Sequence, residues 1–127
     1  MNEIEGNNIS LTVNTNDNLE LEIDPNQISQ VFSNLIRNAI QSMPEGGNLT
    51  INCEKEGHSC NISFIDTGVG INEEDIDKLY IPFYTTRTQG IGLGLSISQK
   101  IIENHNGKIK IESVPGKGST FKIELPF

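Results

Sequence analysis

Apolar and polar residues alternate over Ile9-Ser10-Leu11-Thr12-Val13 and again over Leu19-Glu20-Leu21-Glu22-Ile23, the period of two expected of strands with one buried face. An Asn/Asp-rich stretch separates the two runs, which predicts an edge hairpin. The period then changes. From Ile28 the apolar positions are Val31, Phe32, Leu35, Ile36, Ala39, Ile40 and Met43, the spacing of a helix with a single apolar stripe. Asp24 is placed to cap that helix and Pro25 to occupy its first turn, and Pro44-Glu45-Gly46-Gly47 ends it. Period two returns over residues 48–54, with Leu49, Ile51 and Cys53 on one face, and over 60–66, with Ile62 and Phe64 on one face. After the Gly68-Val69-Gly70 turn a short acidic helix is predicted near residues 73–79. Residues 80–89 have no periodicity and read as a mobile loop. Gly90-Ile91-Gly92-Leu93-Gly94 then introduces a helix with Leu93, Ile97 and Ile101 at four-residue intervals, stopped at Asn106-Gly107. Strands over 108–113 and 119–125 flank Pro115-Gly116-Lys117-Gly118. The order ββ-α-ββ-α-α-ββ predicts an α+β fold, a two-layer sandwich with about three helices on one face of a mostly antiparallel mixed sheet.

Length and composition narrow the function. The 127 residues fit one domain, 1–127, and one core. No apolar run approaches the roughly 20 residues of a membrane span, and Met1 does not open a signal segment. A soluble, cytoplasmic domain without direct membrane insertion is expected, whether or not its parent is membrane-anchored. A net charge of −8 with 9 Lys+Arg argues against a nucleic-acid surface, which needs clustered cations. Any phosphate bound here must therefore be held by backbone N–H groups, a metal and one or two side chains. Cys53 and Cys60 flank a polar hairpin loop and can approach each other across it. With His58 they supply only three ligands at a spacing that matches no common zinc pattern, so a structural role is favoured. His105 reads as a helix-end residue.

Three features carry chemistry. Gln30, Asn34, Asn38 and Gln41 line one flank of the long helix beside its apolar stripe. That row is either a solvated face or a source of an amide oxygen for Mg²⁺. Asp66 shares strand parity with Ile62 and Phe64, so its carboxylate points inward, where an ionised acid needs a hydrogen-bond donor. It either caps its own turn or accepts from a ligand such as an adenine amino group, to which Gly68 and Gly70 allow close backbone approach. By the same parity Ser119 points inward, near Asp66, and Thr120 outward. The alternating glycines 90, 92 and 94 offer unhindered N–H groups and the positive end of a helix dipole to an anion, without matching a dinucleotide fingerprint. Arg87, one of two arginines, stands three residues upstream and can reach a terminal phosphate or remain an exposed loop residue.

In this order the pieces resemble the Bergerat-fold ATPases shared by histidine kinases, DNA gyrase, Hsp90 and MutL. Asn34-Leu35-Ile36-Arg37-Asn38-Ala39 is similar to the N box, Asp66-Thr67-Gly68-Val69-Gly70 to the G1 box and Pro82-Phe83-Tyr84 to the F box. Gly90-Ile91-Gly92-Leu93-Gly94-Leu95 is similar to the G2 box and Gly116-Lys117-Gly118-Ser119-Thr120-Phe121 to the G3 turn. The resemblance covers residues 9–127 and implies ATP and Mg²⁺ as cofactors. It implies Asn38 as the metal ligand, Asp66 as the adenine acceptor and Gly68, Gly70 and Ile71 around the base. Gly90, Gly92, Leu93, Gly94 and Leu95 border the phosphates, with Ser119 beside Asp66. Residues 80–89 would be a short ATP lid anchored by Phe83. The run Phe83 to Arg87 is similar to kinases of the nitrogen-regulation type. Many histidine kinases carry Lys or Arg three residues after the metal-binding asparagine. Here that residue is Gln41, which shifts phosphate neutralisation toward Arg87.

Hydrolytic members of that superfamily place a glutamate one turn before the metal-binding asparagine, and this chain has Asn34 there. An amide is no general base, so the resemblance implies a sensor histidine kinase catalytic domain. Asn34, Asn38 and Arg87 would be its catalytic residues, holding ATP or ADP and passing the γ-phosphoryl group to a histidine. That acceptor belongs to a separate dimerisation domain, elsewhere in a longer protein or supplied in trans, and through it a response regulator is the further partner. Neither His58 nor His105 sits in an acceptor-like acidic helix. An anti-sigma-factor-type serine kinase and a non-catalytic nucleotide-gated interaction module are the alternatives.

Overall fold

A computed structural model describes residues 8–15, 23–76 and 92–126. Five strands form one sheet: β1 (Ile9–Thr15), β2 (Gly47–Glu56), β3 (Ser59–Asp66), β4 (Lys108–Val114) and β5 (Gly118–Pro126), in the order β1-β2-β3-β5-β4. All neighbours pair antiparallel except β1 and β2, which are parallel. A parallel pair needs a long crossover, and the 31 residues between Thr15 and Gly47 supply it through helix α1 (Pro25–Ser42). The α+β sandwich with a mixed, mostly antiparallel sheet is as expected. Two helices carry the second layer, α1 and α3 (Gly92–Asn104), with a four-residue α2 (Glu73–Ile76) between them. Most of the expected strand at 19–23, the end of the acidic helix to 79 and the whole loop at 80–89 lie outside the described residues. Ile23 lies outside any strand and packs on the core.

Helix α1 starts where its capping residues predict. The Asp24 carboxylate accepts from the N–H groups of Asn26 and Gln27 at 3.0 and 3.2 Å, with Pro25 in the first turn. Asp24→Ala should cost about 1 kcal/mol, roughly 4 °C in Tm, measurable by thermal denaturation. An unchanged Tm would mean that the cap is replaced by water at no cost. The main-chain N–H of Asp24 donates to His105 Nε2 at 3.0 Å, while His105 Nδ1 donates to the Ile101 carbonyl at 2.8 Å. The helix-end histidine thus ties the end of α3 to the start of α1. Asn106, with φ 62°, takes the left-handed position that stops α3, and Gly107 N–H closes back onto the Ile102 carbonyl.

One main cluster fills the space between the layers. Ile28, Val31 and Leu35 of α1 and Leu95, Ile101 and Ile102 of α3 lie over Cys60, Ile62 and Phe64 of β3 and Phe121, Ile123 and Leu125 of β5. Phe32 meets Phe64 edge to face at 5.4 Å between ring centroids, a geometry that adds to simple burial. A smaller cluster of Ile9, Ala39, Ile40, Met43 and Leu49 continues toward β1. The buried stripe of α3 corrects the expected one. Leu95, Ser98 and Ile102 are its most buried residues and Ile97 is only half-buried. Apolar residues surround this helix, so its periodicity does not single out one face, and packing against α1 selects it.

Candidate functional site

Asp66 ends β3, where strand parity turns it toward the helices, and it is 4% exposed. Its Oδ1 accepts from the Gly68 N–H at 2.9 Å and the Ser119 N–H at 3.2 Å. The carboxylate therefore does cap its own turn. Ser119 lies directly opposite Asp66 in the β3–β5 register, as expected. The contact described runs through its main-chain N–H, and its hydroxyl is 2.8 Å from that of Ser113.

The turn after Asp66 is held on two sides. The Val69 N–H donates to the Ser42 carbonyl at the end of α1 at 2.9 Å, and the Val69 carbonyl accepts from Gly116 at 2.7 Å. A Cβ at Gly68 would lie 2.3 Å from the Ser42 carbonyl oxygen, so the closeness of α1 leaves no room for a side chain. Gly70 has φ 75°, and a Cβ there would meet the Val114 carbonyl at 2.3 Å. Thr67 accepts from the Asn48 N–H at 3.0 Å and anchors the start of β2. Ile71 is buried and its N–H donates to Ser113 Oγ at 2.7 Å. The end of α1, the end of β3 and the β4–β5 turn thus converge on Gly68-Val69-Gly70.

Asn38 is half-buried on α1, one turn before Ser42 and so at the same end of the molecule as this turn. Asn34, one turn earlier, donates from Nδ2 to the buried Ser98 Oγ at 3.2 Å and so bridges α1 and α3. Gln30 is exposed and Gln41 half-buried, so the amide row is not a uniform face. Gly92 and Gly94 lie within the first turn of α3 rather than ahead of it, where main-chain N–H groups have no partner inside the helix. Leu95 is buried in the core, which leaves only its backbone for any phosphate. Arg87, Phe83 and Gly90 lie outside the described residues. Three residues escaped sequence reasoning. Ser113 was open to the parity argument that found Asp66 and Ser119, because it ends the Ile109-Ile111 face of β4. Ser98 and Ser42 carried no such signal, since small hydroxyls sit equally well inside or outside a helix.

The histidine kinase-, DNA gyrase B- and HSP90-like ATPase family matches residues 23–127. Sporulation kinase E of Bacillus subtilis (strain 168) is 50% identical over 105 residues, which are 81% of this chain but 14% of that protein. The chain therefore spans a small part of that relative's length. The nucleotide-free catalytic domain of histidine kinase ThkA has the same fold, with a TM-score of 0.89 and 41% identity over 98% of this chain and 83% of that one. The structure of ThkA in complex with the response regulator protein TrrA matches at a TM-score of 0.84 and 38% identity, covering 98% of this chain and 36% of that one. With the matched region spanning α1 to β5 and the buried Asp66 above its glycine turn, the chain belongs to the histidine kinase-, DNA gyrase B- and HSP90-like ATPase family.

Proposed function

We propose that this domain binds Mg-ATP and donates its γ-phosphoryl group to a histidine on a separate dimerisation domain, as the catalytic unit of a two-component sensor histidine kinase. The observation that carries the nucleotide half is Asp66, a carboxylate 4% exposed beside a turn so crowded that a Cβ at Gly68 or Gly70 would collide with backbone. A buried carboxylate beside a tightly held glycine turn suits a planar base with an exocyclic amine. When bound, ATP supplies the transferable group and Mg²⁺ neutralises its charge. Asp66 selects the adenine amine, Gly68, Gly70 and Ile71 shape the base site, and the Asn38 amide oxygen is a ligand of the type Mg²⁺ accepts. The N–H groups at the start of α3, from Gly92 to Leu95, would be the donors for the phosphates. Arg87, with Gly90 before that helix, completes the set.

Asn34 supports the choice of acceptor. Its amide donates to Ser98, and no amide takes the proton of an attacking water. The domain should hold nucleotide with little hydrolysis until an imidazole is presented, and the phosphorylated histidine then serves a response regulator. The test is to mix the chain with a histidine-bearing helical dimerisation domain of a related kinase and labelled ATP. Acid-labile, base-stable label on that domain is the expected result. Acid-stable label on a serine, or none with any acceptor, would overturn the reading.

The metal role is separable. Asn38→Ala should remove most of the Mg²⁺ dependence of ATP affinity, a change of about tenfold for one lost ligand contact. Titrating ATP by calorimetry with and without Mg²⁺ measures it. Full Mg²⁺ dependence in the variant would take Asn38 out of the site.

A further inference from the structure

Two free cysteines meet on the β2–β3 hairpin with their Sγ atoms 3.4 Å apart. Cys60 stands six residues before Asp66 on β3, about 20 Å along an extended strand, so the pair is remote from the nucleotide site. The register places Cys53 opposite Ile62 and Cys60 opposite Lys55, which makes the two cysteines diagonal neighbours on the face covered by the helices. Diagonal Cα atoms in such a ladder are about 7–8 Å apart, beyond the span that disulfides bridge without backbone movement. The sulfurs would have to approach by roughly 1.4 Å to bond. Closure therefore needs the hairpin backbone to move as well as the side chains, and a disulfide held away from relaxed geometry is the more readily reduced.

Burial separates the roles of the two sulfurs. Cys53 is half-buried, whereas Cys60 is fully buried in the main core cluster. That burial, reinforced by neighbouring Cys53, pushes the Cys60 thiol up to about 12, so its sulfur reacts only with a partner already in contact with it, as Cys53 is at 3.4 Å.

We propose that Cys53 and Cys60 form an oxidisable dithiol, in which Cys53 reacts with a small peroxide-class oxidant and Cys60 resolves the product into an intramolecular disulfide. In the first step the Cys53 sulfur attacks one peroxide oxygen and the O–O bond breaks. The departing oxygen takes the thiol proton, leaving a sulfenic acid and one water. The Cys60 sulfur then displaces the sulfenic oxygen as the S–S bond forms, and its own proton leaves with that oxygen as a second water. The two electrons that reduce the peroxide come from the two thiols.

The experiment is to treat the whole chain with hydrogen peroxide and follow free thiols, intact mass and the non-reducing peptide map. Both thiols should disappear together, with a mass loss of two hydrogens, a Cys53–Cys60 cross-linked peptide and recovery in dithiothreitol. In Cys60→Ser the reaction should stop after its first step, so dimedone should label Cys53. Thiols that persist in peroxide would overturn the proposal. So would Cys53 reaching the sulfinic acid while Cys60 stays reduced, or disulfides that form only between chains. Should serine at the buried position unfold the domain, Cys60→Ala serves the same purpose, and the peptide map of the unsubstituted chain decides without any variant.

Discussion

Replacing Asp66 by asparagine should weaken adenine-nucleotide binding by about 1.5–3 kcal/mol, roughly 10- to 150-fold in Kd, while leaving the fold in place. The substitution is nearly isosteric. An asparagine carbonyl can still accept from the N–H groups of Gly68 and Ser119, which Oδ1 of Asp66 engages at 2.9 and 3.2 Å. On the proposed reading, the other end of the side chain, where an acceptor becomes an NH₂ donor, would meet the donor of the base. The loss should therefore be confined to binding. Calorimetry with a non-hydrolysable ATP analogue measures it, and a thermal melt of the same sample separates a lost contact from a lost fold. An affinity within about twofold of the parent would remove Asp66 from the base pocket, since a buried charged acceptor is worth more than that.

The largest effect on stability is expected at Gly118. Its φ of 132° lies where a side chain is strained, and a Cβ there would sit 2.1 Å from the main-chain oxygen of Asp66. No flexible side chain can give way, because the obstacle is backbone. Gly118→Ala should cost about 3 kcal/mol, on the order of 10 °C in Tm, from strain and overlap together. The damage falls where β5 begins to pair with the end of β3, with Ser119 opposite Asp66. Nucleotide binding should consequently fall with stability, unlike in the Asp66 variant. Denaturant unfolding followed by circular dichroism checks the first part. A midpoint unchanged from the parent would mean that the β4–β5 turn relaxes away from Asp66 without loss.

These two residues mark how far the chain could be read. Asp66 was legible because its parity within a strand is a local property, and an inward acid at a strand end is anomalous. Ser119 followed by the same rule, and Ser113 satisfies it too, at the end of the Ile109-Ile111 face. The cap at Asp24 and the stop at Asn106-Gly107 were legible because helix ends are set by a few consecutive residues. Asn34 was not. Its spacing along α1 placed it beside the apolar stripe, but its bond to Ser98 on α3 joins residues 64 apart in sequence. The choice of buried face on α3 had the same character, since Leu93, Leu95, Ile97, Ile101 and Ile102 allow more than one stripe and only the approach of α1 picks Leu95 and Ile102.

Among the described residues, apart from the strand expected to end at Ile23, the sequence by itself determined the elements, the sandwich class, the inward Asp66 and the glycine positions around it, because each depends on periodicity or on the conformational needs of a few adjacent residues. Tertiary structure alone decided that β1 runs parallel to β2, that β5 inserts between β3 and β4, and that Ser42 and Val114 close on the Gly68-Val69-Gly70 turn. It also brought Cys53 and Cys60 into contact on a diagonal instead of directly opposite each other. Strand direction, strand order and register are set by which apolar faces bury together across long stretches of chain. Alternation within a strand is the same in either direction, so no local pattern encodes them.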